Sequence, residues 1–467
     1  MKPVAIIGAG ITGLTAAFYL KRAGIPVTLF ESGNRVGGAI QSFRSSGYLA
    51  EFGPNTILAT SPKITRLIQD ADLESRLLSP APGSEKRYLV RDKKPVEMPG
   101  SALGFLSTNL FSAKAKLGVL REPFVPRKRD DQEESIAGFV VRRLGREFLD
   151  YAIDPMVAGI YAGDPDHLSV EQAFPKLAAL EATYGSLIKG SILGARARKK
   201  SGEIAKDRAP KFSFDEGLQV LPDTIGEILG DSLRLNTPVI CIKQNAVGWT
   251  IESKFKEEGD FSSDHSAVIY AGTAHRLPEL HVELAGREQL DLTPFSAIRH
   301  PAVTSVVLGF RREDVDHPCQ GFGVLIPKVE GFKILGTIFS SSLFPNRAPS
   351  DHLILTSYVG GERHPELPLL SHEELFELTR QDLSRLFGIR GEPTFRHCTV
   401  IPKAIPQYNL GFGRYRELMT RIETQSPYFF FAGHYRDGIS LGDSIVSGCR
   451  IAERVEKSIS PAHSLRA

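Results

Sequence analysis

Residues 4–20, with the sequence VAIIGAGITGLTAAFYL, decide the fold of this chain. An apolar run predicts a buried strand, which enters a GxGxxG turn and continues as an apolar helix. In such a turn Gly8 permits the tight bend, Gly10 lets the backbone approach a pyrophosphate, and Gly13 lets the helix pack on the strand. The free N–H groups at the start of that helix favour an anion. A lone motif of this kind also occurs as a simple packing turn, so the following residues decide between the two.

The residues after the helix complete a dinucleotide-binding unit. Ala23 and Gly24 end the helix, residues 25–30 predict a second strand, and Glu31 stands where a carboxylate binds ribose hydroxyls. Strand, glycine turn, helix, strand and acid occur in the required order. The sequence therefore predicts an α/β Rossmann-type domain. Its expected dinucleotide contacts are Gly8, Ala9, Gly10, Ile11, Thr12, Gly13, Glu31 and Ser32.

A second glycine motif follows at residues 31–38, ESGNRVGG. It resembles the second glycine motif of the amine-oxidase-like flavoproteins, which implies that the dinucleotide is FAD. Arg35 could pair with a phosphate or with Glu31, and Gly37 and Gly38 would let the chain pass close to the cofactor. Arg35, Gly38 and Ala39 are therefore expected cofactor contacts. The alternative is a glycine loop with a surface arginine.

The C-terminal part of the chain is expected to return to the same site. Residues 428–431 predict an apolar strand, and residues 437–443, DGISLGD, lead into a helix. The resemblance to FAD oxidases implies backbone contacts from Ile439, Ser440 and Leu441 to the isoalloxazine. His434 is expected to contribute through its backbone, because a histidine is more often a satisfied polar residue than a catalytic one.

The residues between these ends predict two further domains. Residues 99–200 are mainly helical in pattern, and residues 301–361 are rich in strands that would form a sheet over the flavin. Residues 234–251 alternate like a hairpin, and the resemblance places the backbone of Val239 against the adenine. We therefore divide the chain into an FAD-binding domain of residues 1–85, 211–275 and 421–460, a helical, membrane-associating lobe of residues 86–210, and a β-rich substrate domain of residues 276–420.

Composition narrows the classes of function. A chain of 467 residues with 42% hydrophobic and 24% charged residues is expected to fold throughout, as more than one domain. The net charge of +3 is too small to favour nucleic acid as a partner. Four scattered cysteines predict no metal site. Without a secretory signal or a membrane span, a cytoplasmic location is expected.

Segments throughout the chain resemble the oxygen-dependent protoporphyrinogen oxidases, with the plant mitochondrial type nearest. The matching stretches are KRYLV at 86–90, LFSAKAKL at 110–117, REPF at 121–124, AGIYAGDP at 158–165, FPKL at 174–177, GFGVLIP at 321–327, GTIFSS at 336–341, FPNRAPS at 344–350 and YVGG at 358–361. The resemblance implies a propionate-binding arginine and an apolar slot for a tetrapyrrole. Carried over by position, these residues are Arg87, Leu325, Ile338, Tyr358 and Ala162.

The sequence departs from the relatives at three of these positions. Ile338 stands where leucine is common, Tyr358 where phenylalanine is common, and Ala162 where glycine is common. Residues 51–56, EFGPNT, match the flavin-facing turn, so Gly53, Pro54, Asn55 and Thr56 join the expected cofactor contacts. From the residues alone, Arg87 could equally be a solvated arginine and the apolar residues plain core.

The resemblance also implies the chemistry. A carbon bridge of the macrocycle would lose a hydride to flavin N5, three such oxidations would aromatise the ring, and oxygen would accept the electrons to give hydrogen peroxide. The sequence identifies no side chain as a general base for this reaction. The rivals are a coproporphyrinogen III oxidase of the same fold, an amine or carotenoid oxidoreductase, and a non-enzymatic flavin-binding or membrane scaffold protein.

Apolar and basic residues between positions 103 and 129 suit an anionic membrane surface: the segments 103–106 and 110–111, with Lys114, Lys116 and the run RKR at 127–129. A second basic run, ARARKK, lies at 195–200. We expect peripheral attachment to the inner face of the cell membrane; the alternative is an ordinary amphipathic helix. A homodimer and a hand-off of product to a ferrochelatase are further expectations from the resemblance.

Overall fold

The computed structural model describes residues 1–128, 130, 132–201, 209–255, 259–286 and 288–459. The helices are α1 (Ile11–Arg22), α2 (Pro62–Asp70), α3 (Ala102–Ser107), α4 (Ala113–Arg121), α5 (Ile136–Leu144), α6 (Arg146–Phe148), α7 (Asp154–Tyr161), α8 (Val170–Ala173), α9 (Pro175–Tyr184), α10 (Leu187–Ser201), α11 (Val220–Leu229), α12 (Ser340–Leu343), α13 (His372–Phe387), α14 (Gly413–Gln425) and α15 (Leu441–Ile459). The strands are β1 (Val4–Ile7), β2 (Val27–Phe30), β3 (Ser42–Ser45), β4 (Tyr48–Glu51), β5 (Ile57–Leu58), β6 (Leu77–Leu78), β7 (Arg87–Arg91), β8 (Lys94–Glu97), β9 (Lys211–Phe214), β10 (Leu233–Arg234), β11 (Val239–Asn245), β12 (Gly248–Phe255), β13 (Gly259–His265), β14 (Ala267–Tyr270), β15 (His281–Glu283), β16 (Val303–Arg311), β17 (Gly323–Leu325), β18 (Ile334–Ile338), β19 (His352–Gly360), β20 (Phe395–Ile401) and β21 (Phe429–Phe431).

A five-stranded parallel sheet in the order β10-β2-β1-β14-β21 forms the centre of the Rossmann-type domain. Its central strand is continuously apolar because a parallel sheet is buried on both faces. Helix α15 packs on α1 so closely that a Cβ at Gly448 would lie 2.6 Å from the carbonyl oxygen of Thr12. The two ends of the chain therefore meet in one domain, as the sequence predicts.

A seven-stranded mixed sheet in the order β20-β16-β19-β18-β17-β7-β8 forms the second domain. Strands β16, β17, β18 and β19 lie within residues 301–361, so the strand-rich character predicted for this segment is confirmed. Helix α13 buries one face of this sheet through apolar residues such as Leu375 and Leu383. The other face is turned toward α7 and the Rossmann-type domain.

Two boundaries of this sheet differ from the expected division. Strands β7 and β8 lie in it, because β7 pairs in parallel with β17, so residues 87–97 belong to the seven-stranded sheet and not to the helical lobe. Strand β15 pairs with β11 in the four-stranded sheet β13-β12-β11-β15, so residues 281–283 lie beside the predicted FAD-binding domain. Both pairings join segments far apart in the chain, which local patterns do not report.

Helices α3 to α10 form the third unit, so the predicted helical character of residues 99–200 is confirmed. Serine side chains cap α3, α4 and α5 at their N-termini, as short polar residues do when they accept from a first-turn N–H. The buried pair Arg143 and Glu122 ties α5 to the segment directly after α4. Within the described ranges, no helix is both long and apolar enough to span a bilayer.

Candidate functional site

The first glycine turn has the geometry of a pyrophosphate cradle. Gly8 has φ of +101°, a backbone conformation that favours glycine, and a Cβ there would lie 3.0 Å from the backbone of Gly272. A Cβ at Gly13 would lie 2.0 Å from the carbonyl oxygen of Gly8. Above Gly10 there is open space, and no side chain caps the start of α1. The N–H groups of Ile11 and Thr12, in the first turn of α1, therefore lie beside this cradle without a side-chain partner at the N-cap.

Glu31 lies at the end of β2 beside this cradle. Its carboxylate accepts hydrogen bonds from the backbone N–H of Ala9 at 2.8 Å and of Gly33 at 2.7 Å. The Ser32 hydroxyl lies 3.2 Å from the same carboxylate. These contacts fix the acid next to the glycine turn, in the position that dinucleotide-binding folds use for a ribose.

The second glycine motif lies against the first. The N–H of Gly37 donates to the carbonyl of Ala9 at 2.8 Å, and a Cβ at Gly38 would lie 3.3 Å from the Cα of Gly10. Arg35 donates to backbone carbonyls of its own loop, those of Val36, Gly38 and Ile40. The guanidinium of Arg35 therefore holds its own loop in place. It needs neither of the partners expected from the sequence, a phosphate or Glu31, to stay in this position.

The segment that precedes α15 completes the cradle from the other side. The Ser440 hydroxyl accepts from the N–H of Asp443 at 3.1 Å and donates to its carboxylate, which caps the helix. The hydroxyl of Thr12 donates to the carbonyl of Ser444 at 3.1 Å. Ile439, Ser440 and Leu441 are partly exposed at this end of the helix, beside the start of α1.

His434 follows β21 and lies among two histidines that sequence reasoning did not identify. Its carbonyl accepts a hydrogen bond from the hydroxyl of Tyr408, and burial lowers the pKa of its imidazole to about 4. The rings of His275 and His300 stand edge to face, with centroids 5.1 Å apart. His275 follows β14, at the carboxyl edge of the parallel sheet, where the glycine turn also lies. Its position after a strand of this sheet could have identified it from the sequence as a residue near the cofactor.

The turn at residues 53–56 connects the cradle with the seven-stranded sheet. A Cβ at Gly53 would lie 2.6 Å from the carbonyl of Ala39, so the turn contacts the second glycine motif. On its other side the Tyr358 hydroxyl donates to the carbonyl of Gly53 at 2.9 Å and accepts from Asn55 Nδ2 at 2.6 Å. Pro54 and Thr56 are partly exposed within the same turn.

Four of the five expected substrate residues share one face of this sheet. The register aligns Arg87 with Gly323 and Ile338 in one row across the strands. It aligns Leu325 with Gly336 and Tyr358 in the next row. Residues directly opposite one another, and residues two apart along a strand, point to the same side of a sheet. A cation, two aliphatic side chains and an aromatic ring are therefore presented together.

Glycines on two elements make room for Leu325. A Cβ at Gly336 would lie 3.3 Å from Leu325 Cδ2, and a Cβ at Gly159 of α7 would lie 2.5 Å from the same atom. Both glycines occur in segments that resemble the oxidases. Their proximity to Leu325 could not be predicted from the sequence, because one lies on a neighbouring strand and the other on a helix. Helix α7 thus lies over this face and packs against Leu325; the region between this face and α7, from Arg87 to Ala162, is called the slot.

Ala162 ends α7 with φ of +49°, in the left-handed region. Its carbonyl accepts from the N–H of Glu362 at 2.8 Å, and a Cβ at Gly361 would lie 2.5 Å from that oxygen. This conformation favours glycine, which is the residue that the resemblance implies at this position. Ala162 lies with Ala158 and Tyr358 in one apolar cluster, at the end of the slot away from Arg87.

Arg87 is exposed at the rim of the slot. Its guanidinium carbon lies 5.8 Å from the ring centroid of Phe322, and within the described ranges no carboxylate pairs with it. Its neighbours differ, because Lys86 lies 3.5 Å from Glu97 and Arg91 lies 3.2 Å from Glu147. Arg87 is thus the cation of this strand that remains open to an external anion.

Val239 lies on the far side of the cradle. The preceding residues hydrogen-bond to the end of β2, with the N–H of Thr237 donating to the carbonyl of Glu31 at 2.8 Å. Val239 then begins the hairpin of β11 and β12. The predicted adenine contact is therefore next to the acid expected to bind ribose.

The residues present fit FAD. Open space above Gly10, a carboxylate fixed beside it, and two helix N-termini that converge on the same place meet the needs of a dinucleotide with a pyrophosphate centre. The turn at 53–56 contacts the cradle at Ala39 and the seven-stranded sheet at Tyr358. The flavin ring would therefore lie at this turn, between the cradle and the slot.

Curated relatives match this chain over almost its whole length. It is 36% identical to protoporphyrinogen oxidase 2, chloroplastic/mitochondrial, of Arabidopsis thaliana and to the mitochondrial protoporphyrinogen oxidase of Nicotiana tabacum, in each case over 97% of this chain and 94% of the relative. It is 30% identical to the coproporphyrinogen III oxidase of Staphylococcus aureus (strain NCTC 8325 / PS 47), over 97% of this chain and 99% of the relative.

Solved structures share the fold. A crystal structure from Exiguobacterium sp. 255-15 superposes with a TM-score of 0.79 at 24% identity, covering 98% of this chain and 99% of that one. A reduced UDP-galactopyranose mutase superposes with a TM-score of 0.74 at 16% identity, over 100% and 98% of the two chains. The family model described as flavin containing amine oxidoreductase matches residues 11–456. The chain therefore belongs to the flavin-containing amine oxidoreductases, and its cofactor is FAD.

Proposed function

We propose that this chain oxidises protoporphyrinogen IX to protoporphyrin IX, with oxygen as the electron acceptor and hydrogen peroxide as the second product. The observation that carries the proposal is the shared face of Arg87, Leu325, Ile338 and Tyr358, joined to the FAD cradle through the turn at 53–56. The names of the relatives at 36% identity support a porphyrinogen as substrate.

The side chains of the slot position the substrate and exclude water. FAD, when bound, supplies the hydride acceptor. Leu325 and Ile338 offer apolar contact to the macrocycle, and α7 closes the slot from above at Gly159. Because these groups carry no charge, they hold a carbon bridge of the ring in place without competing for protons.

The charge of the slot rim favours a substrate with few carboxylates. Arg87 is open to an anion, whereas Lys86 and Arg91 each lie near a carboxylate of the protein. Protoporphyrinogen has two propionates and coproporphyrinogen has four, so the second substrate should need more free cations at the rim. This difference supports protoporphyrinogen over the rival activity of the Staphylococcus aureus relative.

Anaerobic mixing tests the proposal. The purified, FAD-loaded protein is mixed with protoporphyrinogen IX or with coproporphyrinogen III, and the visible absorbance of the flavin is followed. We expect rapid bleaching with protoporphyrinogen, slower bleaching with coproporphyrinogen, and recovery of the colour with peroxide formation when air is admitted. Faster bleaching with coproporphyrinogen would favour the rival substrate, and no bleaching with either would exclude porphyrinogen oxidation.

We further propose that the helical lobe attaches to an anionic membrane surface. Large apolar side chains are exposed on three of its helices and on the segment after α4: Leu103, Leu106, Leu117, Leu120, Phe124, Ile192 and Leu193. Such a concentration on one lobe is typical of a membrane or protein contact. Leu110 and Phe111, which the sequence assigned to this surface, are buried against Leu89 instead, because they fill the space below β7.

A buried ion pair holds part of this surface together. Glu122 accepts from Arg143 Nε at 2.6 Å and from the N–H of Leu187 at 2.8 Å, so the segment that bears Phe124 is fixed to the start of α10. The ammonium of Lys189 lies 5.9 Å from the ring centroid of Phe124, which places a cation beside an exposed aromatic ring. Arg129 and the side chains of residues 195–200 lie outside the described residues.

A further inference from the structure

The hydroxyl of Tyr358 is engaged by the turn at 53–56. It donates to the carbonyl of Gly53 and accepts from Asn55 Nδ2, two groups of the same turn. Burial raises the pKa of Tyr358, so the hydroxyl stays protonated and can donate at physiological pH. Two hydrogen bonds therefore cross between domains, and they join residues 303 and 305 positions apart.

These bonds also decide the orientation of the Asn55 side chain. A hydroxyl that donates to a carbonyl must accept from its other neighbour, so the amide nitrogen of Asn55 faces Tyr358. The same nitrogen lies 3.2 Å from the carbonyl of Gly53. With phenylalanine at position 358, only that longer bond would hold the amide, and the turn would lose its connection to β19.

The turn is the element that lies between the cradle and the slot. Gly53 contacts Ala39, which follows the second glycine motif, and Asn55 is 8% exposed. A shift of the turn would therefore change the distance between the residues expected to contact the isoalloxazine and the sheet that carries Leu325, Ile338 and Tyr358. A displacement of about 1 Å at such residues is enough to change a reaction rate strongly.

We infer that Tyr358 is a positioning residue for the flavin: its hydroxyl fixes the turn at 53–56 to the sheet, while its ring alone is available to the substrate. The inference rests on the proposed function for the role of the slot. It assigns to this chain a bond that a relative with phenylalanine at this position cannot form, since phenylalanine has no hydroxyl.

The test compares Tyr358→Phe, Asn55→Ala and the double variant with the wild type. Tyr88→Phe is the matched control, because Tyr88 lies on the opposite face of the same sheet, in the cluster under α13. Three quantities are measured: the dissociation constant of FAD from titration of the apoprotein, the visible spectrum of the bound flavin, and KM against the maximal rate of anaerobic flavin reduction. Thermal unfolding of each apoprotein confirms that the variants fold.

We expect Tyr358→Phe to weaken FAD binding about 3- to 10-fold, because its bonds to Gly53 and Asn55 are both lost and the turn is held less firmly, and to shift the flavin spectrum. The maximal rate of reduction should fall while KM for protoporphyrinogen stays within about twofold, because the ring face is unchanged. In the Asn55→Ala background the same substitution should have a smaller effect than in the wild type, since only the bond to the Gly53 carbonyl is left to lose. Tyr88→Phe should match the wild type.

Two results would overturn the inference. One is a Tyr358→Phe protein with unaltered FAD affinity and spectrum, and the other is a rise in KM alone, which would make the hydroxyl a substrate contact. If the wild type is not reduced by any porphyrinogen, the proposed function fails, yet the FAD titration and the spectrum still test the role of Tyr358 in positioning the flavin.

Discussion

The carboxylate of Glu51 and the guanidinium of Arg347 lie 4.0 Å apart, and both side chains are buried. Glu51 also accepts from the hydroxyl of Ser42 at 2.6 Å and from the N–H of Leu218 at 2.9 Å. Arg347 donates to Ser213 and to the carbonyl of Phe214. This buried cluster joins β4, β9 and the segment after α12, directly before the turn at 53–56.

Burial raises the pKa of Glu51 from 4.5 to about 7. The folded protein therefore keeps a proton that the unfolded chain has lost at pH values between these two. The stabilisation that the protonated Glu51 adds to the free energy of unfolding has its largest value below about pH 4.5. It decreases as the pH rises toward 7 and does not change further above that pH. Glu51→Gln should remove this pH dependence, which changes the free energy of unfolding by at most about 3.4 kcal/mol over the whole interval. Denaturant unfolding at a series of pH values measures it, and parallel curves for the two proteins would contradict the assignment.

Replacement of Glu31 by Gln should weaken FAD binding. The carboxylate holds the N–H groups of Ala9 and Gly33, and a hydrogen bond to a charged group contributes about 1.5–3 kcal/mol, equivalent to roughly 10- to 100-fold in affinity. Titration of the apoprotein with FAD measures the change. Glu417→Gln on the exposed face of α14 is the control, and equal affinity of all three proteins would count against the role of Glu31.

Replacement of Arg87 by Ala should impair substrate capture without loss of FAD. We expect KM for protoporphyrinogen to rise about tenfold or more, because a charge-assisted contact to a propionate is lost. Flavin content after purification should not change, since Arg87 lies on the slot rim and not in the cradle. Arg311→Ala, an exposed cation at another end of the same sheet, is the control. Loss of FAD in parallel with the rise in KM would show that Arg87 acts on folding instead.

The exposed apolar residues of the helical lobe should decide membrane attachment. A variant with Leu103→Ser, Phe124→Ser and Ile192→Ser should lose most of its co-flotation with liposomes that contain anionic phospholipid, because each apolar side chain contributes about 1.5–3 kcal/mol when it leaves water. The matched control replaces Val247 and Leu369, which are equally exposed elsewhere. A wild-type protein that stays entirely in the soluble fraction would refute the attachment.

The sequence was sufficient for the Rossmann-type domain because its signals are local. Gly8, Gly10 and Gly13 each meet a requirement of one turn, and Glu31 follows at a fixed distance in the same βαβ unit. The strands of the second sheet could be predicted for the same reason, from short apolar runs between turns.

Relations between distant segments could not be predicted in this way. The parallel pairing of β7 with β17 places residues 87–97 in a sheet whose other strands begin more than 200 residues later. The bond between Tyr358 and Asn55 has no local signal, because each residue is unremarkable in its own segment. Burial of Leu110 and Phe111 likewise depends on β7, which the sequence pattern assigned to the helical lobe.

The contact between α1 and α15 has a consequence for biosynthesis. Thr12 finds its partner 432 residues later, so a nascent chain that grows at about 5–20 residues per second carries an uncovered N-terminal helix for roughly 20–90 s. During that interval the apolar flank of α1 is available to chaperones or to other nascent chains. Cofactor capture should begin only once α15 has left the ribosome, and a protein that stops after Ser440 should be made without ever retaining the yellow colour of flavin.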